Sequence, residues 1–322
     1  MPPSLFFDSH LLSNQAKPAL IAFAQMPSTQ RPPTLDPIAV DRWQRNAPAA
    51  SPWLHEEIAR RMLGRLSWIK RQPARWSHWG AVRGGLQIHA ELARRFAKSS
   101  CFVVEEQERL AYVARKEIAI DWWNPKRLGV AKPVFEAPPS ASCDMVWANM
   151  QLHEVADPQS LLMQWHTALA VDGFLMFSCL GPDTAREMHA LYAAMGWPAA
   201  GAKLTDMHDW GDMLVAAGFA EPVMDMERIT LSFETAERLL KELAEIGRNV
   251  HPARFQALRG RGWRRQLIRT LEEQGTRDAA GKLILTFEVV YGHAIKAPPK
   301  IKMSPLSSVS VADMRSMLGK AR

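Results

Sequence analysis

The sequence predicts an α/β fold: a mostly parallel sheet with helices on both faces. Three observations predict it. Short apolar runs at 74–79, 101–104, 133–136, 144–149 and 174–180 have strand length, and helical stretches at 86–98, 108–116 and 158–170 lie between them. A glycine-bearing turn at 80–84 leaves the first strand and opens a helix. Two late runs, "EPVMDMERITLSF" and "KLILTFEVVYGHAIK", are rich in β-branched and aromatic residues and extend the sheet as an antiparallel edge pair. Five parallel strands and two later ones make seven.

Residues 1–37 are rich in Pro, Ser and Gln without apolar periodicity, so a mobile arm is expected there. The folded domain is expected over 38–297. In "WLHEEIARRMLGRLSWIK", Leu54, Ile58, Met62, Leu66 and Ile69 recur at three- and four-residue spacing and make one apolar stripe on a helix. Trp122 and Trp123 are expected to anchor the link between the second and third strands. Asp157 caps the helix over 158–170, with Pro158 in its first turn. Helical insertions follow at about 184–217 and 235–275, with helices at 184–195, 206–217 and 235–246. Asp183 is expected to cap the first, and Gly218 and Gly247 to close the other two in left-handed conformations. A basic tail over 298–322, with a short helix near Val311, completes the chain.

Composition narrows the function. The chain is 47% hydrophobic and 23% charged, which excludes a disordered or fibrous protein. Cys101, Cys143 and Cys179 sit in separate apolar runs with no CxxC pair, so they read as buried thiols of a reducing compartment. No run approaches the roughly 18 apolar residues of a membrane span. "PALIAFA" is too short for a signal core, so the expected location is the cytoplasm. The net charge is +7, and between Arg248 and Arg277 eight arginines face only Glu272 and Glu273. Such a patch attracts an anionic partner or serves as a solvated helix face.

A strand, glycine turn, helix and second strand ending in an acid form a cradle for a nucleoside. Glycines admit the ligand close to the backbone, and the acid accepts the ribose hydroxyls. Here the acid is Glu105 or Glu106, at the end of "CFVVEE". There is no HExxH, cysteine–histidine cluster or carboxylate array, and no metal is expected.

The stretch "CDMVWANMQLHEVADPQSLLMQWHTALAVDGFLMFSCLGPDT" resembles the fourth and fifth strands of class I S-adenosylmethionine-dependent methyltransferases, where "DLVWSNLALHW" precedes a helix and "LRVGGLLMFSTFGPDT". Together with "DMHDWGDMLVAAGFAEPVMD" and "LTFEVVYGHA", it resembles the branch that O-methylates malonyl-acyl-carrier protein in biotin synthesis, called BioC. The resemblance implies a Rossmann-like sheet of seven strands, S-adenosylmethionine as cofactor, and an acidic acyl-carrier protein as the partner of the arginine patch. It departs from the family in the first turn, where "ARILDLGCGTG" is replaced by "ARWSHWGAVRG". His78 stands in place of an acid and Val82 in place of the middle glycine, while Gly80 and Gly84 keep the outer two. If the turn kept the family shape, Val82 would carry roughly 1–3 kcal/mol of strain; a different shape is expected. His78 and Arg83 add possible positive charge beside a sulfonium ligand, the wrong sign unless a counter-ion is present. The loop "VFEAPPSASCD" is also shorter than the acidic loop of the family and keeps only Glu136.

The resemblance places His78, Gly80, Gly84, Glu105, Asn149 and Met150 around the methyl donor, with Ala148 beneath it. His153, Arg186 and Tyr291 are candidates for the acceptor side. Methyl transfer to a carboxylate needs no general base, so no catalytic residue is assigned. Three readings follow: an active carboxyl methyltransferase, a binding or assembly protein that keeps the fold without the donor, and an arginine-hydroxylating assembly factor sharing the "GPDT" segment.

Overall fold

The protein is described by a computed structural model over residues 35–118 and 131–299, together with Arg315. The expected arm up to residue 34, the Trp122–Trp123 anchor and the tail helix near Val311 lie outside the described residues. Six strands form one sheet in the order β2-β1-β3-β4-β6-β5. They are β1 (Arg75–Trp79), β2 (Ser100–Val104), β3 (Cys143–Asn149), β4 (Leu169–Leu180), β5 (Phe219–Phe233) and β6 (Leu283–Lys296). The strands β2, β1, β3 and β4 are mutually parallel, while β6 runs antiparallel to both β4 and β5. The chain moves outward from β1 to β2 and then returns to the other side of β1 for β3. A crevice therefore opens at the carboxyl ends of β1 and β3, where ligands of such sheets bind.

The described residues thus give six strands, not seven. The run at 133–136 contributes only one parallel bridge, Phe102↔Val134. Pro133 has no N–H to donate, and Pro138 and Pro139 follow at once, so the run cannot build a ladder.

Ten helices are present among the described residues: α1 (Pro37–Asn46), α2 (Trp53–Arg65), α3 (Ala81–Gly84), α4 (Leu86–Arg95), α5 (Glu108–Ile118), α6 (Pro158–Ala168), α7 (Arg186–Ala194), α8 (Met207–Ala216), α9 (Ala236–Ile246) and α10 (Arg261–Gln274). The sequence reading missed α1. Asp36 caps it, accepting from the Ile38 and Ala39 amides, and Pro37 occupies its first turn. The α6 cap is as expected, Asp157 accepting from Ser160 N. Asp183 caps nothing: α7 begins after the left-handed Ala185, and the Asp183 carboxylate pairs with Arg228 at 2.7 Å. Gly218 is left-handed at φ 96°, whereas Gly247 is extended at φ −165° and closes α9 without that conformation.

The two faces of the sheet carry separate cores. Leu54, Ile58 and Met62 of α2 pack with Trp76, Trp147 and Leu92 on one face. Trp165, Phe177 and Trp210 anchor the other. Burying these large apolar side chains supplies the main driving force for closure, about 25 cal/mol per Å² removed from water. The three cysteines are free and buried. No helix among the described residues is long and apolar enough to cross a membrane.

Candidate active site

The crevice begins where β1 ends. Gly80 is left-handed at φ 65° and its amide donates to Val104 O at 2.8 Å, tying the turn to β2. The next four residues form the single helical turn α3, so Val82 lies inside a helix and not at a left-handed position. The strain expected for Val82 does not arise at a helical position. The Val82 amide donates to the Glu105 carboxylate at 2.7 Å. Burial pushes the Glu105 carboxyl up to about 7, against the stabilising pull of that amide.

Gly84 lies close to β3: a Cβ there would sit 3.0 Å from Asn149 O. The Asn149 side chain is fully engaged, with Nδ2 donating to His55 O at 2.9 Å and Gly84 O at 2.5 Å, and Oδ1 accepting from Ser178 Oγ at 2.6 Å. It clamps α2, the turn and β4 together. Met150 follows at φ 58°, and its amide is shared by Ser178 O and Ser178 Oγ. Gly80, Gly84, Glu105, Asn149 and Met150 all line one cleft.

His78 does not join them. It is completely buried, with its Nδ1 3.1 Å from His89 Nδ1 and the two rings stacked. Alternation along β1 sends it into the core, and burial holds its pKa well below the usual histidine value. Burial thus disfavours a positive charge at this position. Arg83 does face the cleft, but its guanidinium is bound elsewhere. It donates to Pro48 O, Glu245 O and Ile246 O and lies 3.9 Å from Glu154, which is its counter-ion.

The cleft is small, about 70 Å³. Beside it is a second cavity of about 450 Å³, walled by apolar side chains such as Leu180, Met188, Tyr192, Leu243 and Phe287. Trp43 of α1 and Glu154 belong to the walls of both. The Trp43 indole donates to Glu154 at 3.3 Å. Two cations approach the ring, with Arg83 Cζ 5.0 Å from its centroid and Arg248 Cζ 5.3 Å.

Of the three acceptor-side candidates, His153 is in the wall of the larger cavity. Its Nδ1 accepts from Leu180 N at 3.3 Å, and burial lowers its pKa to about 3, so it stays neutral. Arg186 is exposed, paired with Glu187, and outside both walls. Tyr291 is buried under the Arg65 guanidinium, and its hydroxyl donates to Glu227. It faces the same side of the sheet as Phe287 but lies four residues farther along β6, and it lines neither cavity.

Sequence reasoning missed Trp43, Gln151 and Glu154, and took Arg248 only as the start of the basic patch. A letter-by-letter reading of "WANMQLHE" against the "WSNLALHW" pattern would have flagged Gln151 and Glu154, which replace an alanine and a tryptophan.

No family model matches the chain. Curated relatives do. A malonyl-[acyl-carrier protein] O-methyltransferase of Gallionella capsiferriformans is 38% identical over 261 residues, covering 78% of this chain and 87% of that one. Relatives of the same name from Laribacter hongkongensis (35%, covering 78% and 86%) and a Methylovorus species (32%, covering 79% and 86%) align over similar spans. Among solved structures, the YcgJ protein of Bacillus subtilis aligns with a TM-score of 0.49 at 13% identity, covering 74% of this chain and 99% of that one. The relatives, the parallel sheet and the carboxylate-ended cradle define a class I S-adenosylmethionine-dependent methyltransferase. Within that class, the chain belongs to the malonyl-[acyl-carrier protein] O-methyltransferase family.

Proposed function

We propose that the chain transfers a methyl group from S-adenosylmethionine to the free carboxylate of a malonyl group on acyl-carrier protein, the biotin-synthesis step implied by its family. The observation that carries this reading is the contact between the two cavities. A nucleoside-type cleft and an apolar cavity share Trp43 and Glu154 as a common wall.

The cleft fits the donor in chemistry. Glu105 would accept from the ribose hydroxyls, and Gly80 and Gly84 allow close backbone approach. One side chain stands in the way: a Cβ at Gly80 would overlap the Gln151 amide, which therefore fills the space that the glycine leaves. That amide is the flexible end of a long side chain and has other staggered rotamers to move into.

When bound, the donor supplies an electrophilic methyl on a sulfonium sulfur. Methyl transfer from it to a carboxylate would need no general base, so the chain would have only to hold the acceptor oxygen in line with that carbon. No proton moves, which agrees with the absence of any need for His153 to titrate near neutral pH. The chain contributes position and dryness: α1 covers the cleft through Trp43, and His153 and the apolar wall exclude water from the acceptor.

A carrier protein is acidic, and the surface of α10 suits it. Arg254, Arg269 and Arg277 have carboxylate partners, whereas Arg261, Arg264 and Arg265 are exposed with none among the described residues. Trp263 of the same helix packs on Tyr192, a wall residue of the larger cavity. That contact supports a patch that serves the acceptor cavity.

A second reading is favoured by the 70 Å³ of the cleft, well under the roughly 300 Å³ of ordinary small-molecule sites. In that reading the fold persists without the donor, and the carrier protein or another partner is bound but not methylated. Titration with S-adenosylmethionine, followed by label transfer to malonyl-carrier protein, separates the two. Micromolar binding with transfer supports the methyltransferase. No heat up to millimolar donor leaves the binding protein.

A further inference from the structure

The larger cavity contains a cation that the reaction scheme above does not use. Arg248 lies just beyond α9, in the cavity wall. Its Nη1 donates to Ala244 O and to Gly247 O, the latter at 3.1 Å. These two bonds cap the end of α9 and fix the direction of the guanidinium. The remaining N–H groups have no acceptor among the described residues, and no carboxylate pairs with this arginine there. Glu154, the one acid of that wall among the described residues, is already committed to Trp43 and Arg83.

We propose that Arg248 is the acceptor-carboxylate clamp: its free guanidinium edge binds the malonyl carboxylate at the border between the two cavities and so selects a carboxyl-bearing acyl group. The inference rests on the methyltransferase reading and names the group that recognises its substrate. Three features support it. The guanidinium edge matches a carboxylate, which it can hold with two parallel hydrogen bonds. Most of the wall around it is apolar, and the histidines of that wall are held toward neutrality: His153 stays neutral, and burial together with nearby His251 also lowers the pKa of His189. The location is right as well. Arg248 stacks toward Trp43, whose ring also forms the wall of the donor cleft, so a carboxylate held there lies next to the point where the methyl group must arrive.

Arg186, the arginine that the sequence suggested for this role, is exposed and paired with Glu187. Arg83 is buried and spends Nη1 and Nη2 on the carbonyls of Pro48, Glu245 and Ile246, while its Nε has no partner among the described residues. Arg248 is exposed at the wall of the larger cavity, and its Nε and Nη2 are unpaired among the described residues.

The test compares malonyl-carrier protein with acetyl-carrier protein, which lacks the distal carboxylate, as ligands for the full chain and for Arg248→Met and Arg248→Lys. Binding is read by calorimetry, with S-adenosylmethionine titrated into each variant as a control. The wild type should prefer the malonyl form by about tenfold or more, the worth of one charge-assisted contact. Arg248→Met should abolish the preference, Arg248→Lys should recover part of it, and donor affinity should change less than twofold in both. An undiminished preference in Arg248→Met, with wild-type donor binding, overturns the assignment to Arg248 and leaves the methyltransferase reading standing. A wild type that does not distinguish malonyl from acetyl carrier overturns both.

Discussion

The Val82 amide and the Glu105 carboxylate meet at 2.7 Å, so the residue that replaces the middle glycine is held by the acid meant for the ribose. Because Glu105 titrates near 7 in the folded chain, against an ordinary value of 4.5, its linkage has a definite sign. A raised folded pKa favours the folded state below about 4.5, and that advantage is lost as pH rises through about 7. Relative to Glu105→Gln, the wild type should lose stability between pH 5 and 8, read as urea midpoints at the two ends. Donor affinity should move the opposite way and rise over the same interval, since the ionised carboxylate is the better acceptor for ribose hydroxyls. Parallel urea curves at both pH values would contradict the assignment.

Gln151 should act as an internal competitor. Gln151→Ala empties the space beside Gly80, and S-adenosylmethionine should bind several-fold more tightly, since no amide has to be displaced. Calorimetric titration of both proteins decides this, and equal affinity would show that the amide does not stand in the donor's place.

Asn149 is a structural clamp first. Asn149→Ala leaves His55 O and Gly84 O without their donor and Ser178 Oγ without its acceptor, and it should cost about 2–3 kcal/mol in chemical denaturation. Asn149→Asp should cost at least as much, because a carboxylate would face two carbonyl oxygens.

Two candidates from the sequence should behave as surface and core residues. Arg186→Ala should leave methyl transfer within twofold of wild type. Tyr291→Phe should lower stability by about 1 kcal/mol through the lost Glu227 bond, with KM for the carrier unchanged. A tenfold rise in KM in either variant would return that residue to the acceptor site.

The parts of the site that could be read from sequence are those built from neighbours in the chain. β1, its turn and the end of β2 lie within thirty residues, and Gly80, Gly84 and Glu105 duly line one cleft. What escaped depends on folding partners far apart. Trp43 and Glu154 are 111 residues apart, and no local pattern joins them. The helix carrying Trp43 announces itself only by Asp36 before Pro37, at the end of a segment whose composition suggests no structure. The error at 133–136 has the opposite origin: four residues of strand-like composition, flanked by prolines that deny them a ladder. Side-chain direction was equally hidden. His78 and Trp79 are adjacent on β1, and only the pleat decides that the first enters the core and the second the cleft.

The bonds from Arg83 to the carbonyls of Glu245 and Ile246 have a thermodynamic consequence. They join the turn under the donor to the end of the helix that leads into Arg248, so a shift in either place is felt in the other. Any free energy of coupling carried by that guanidinium must be equal in both directions: whatever factor the donor adds to acceptor affinity, the acceptor returns to the donor.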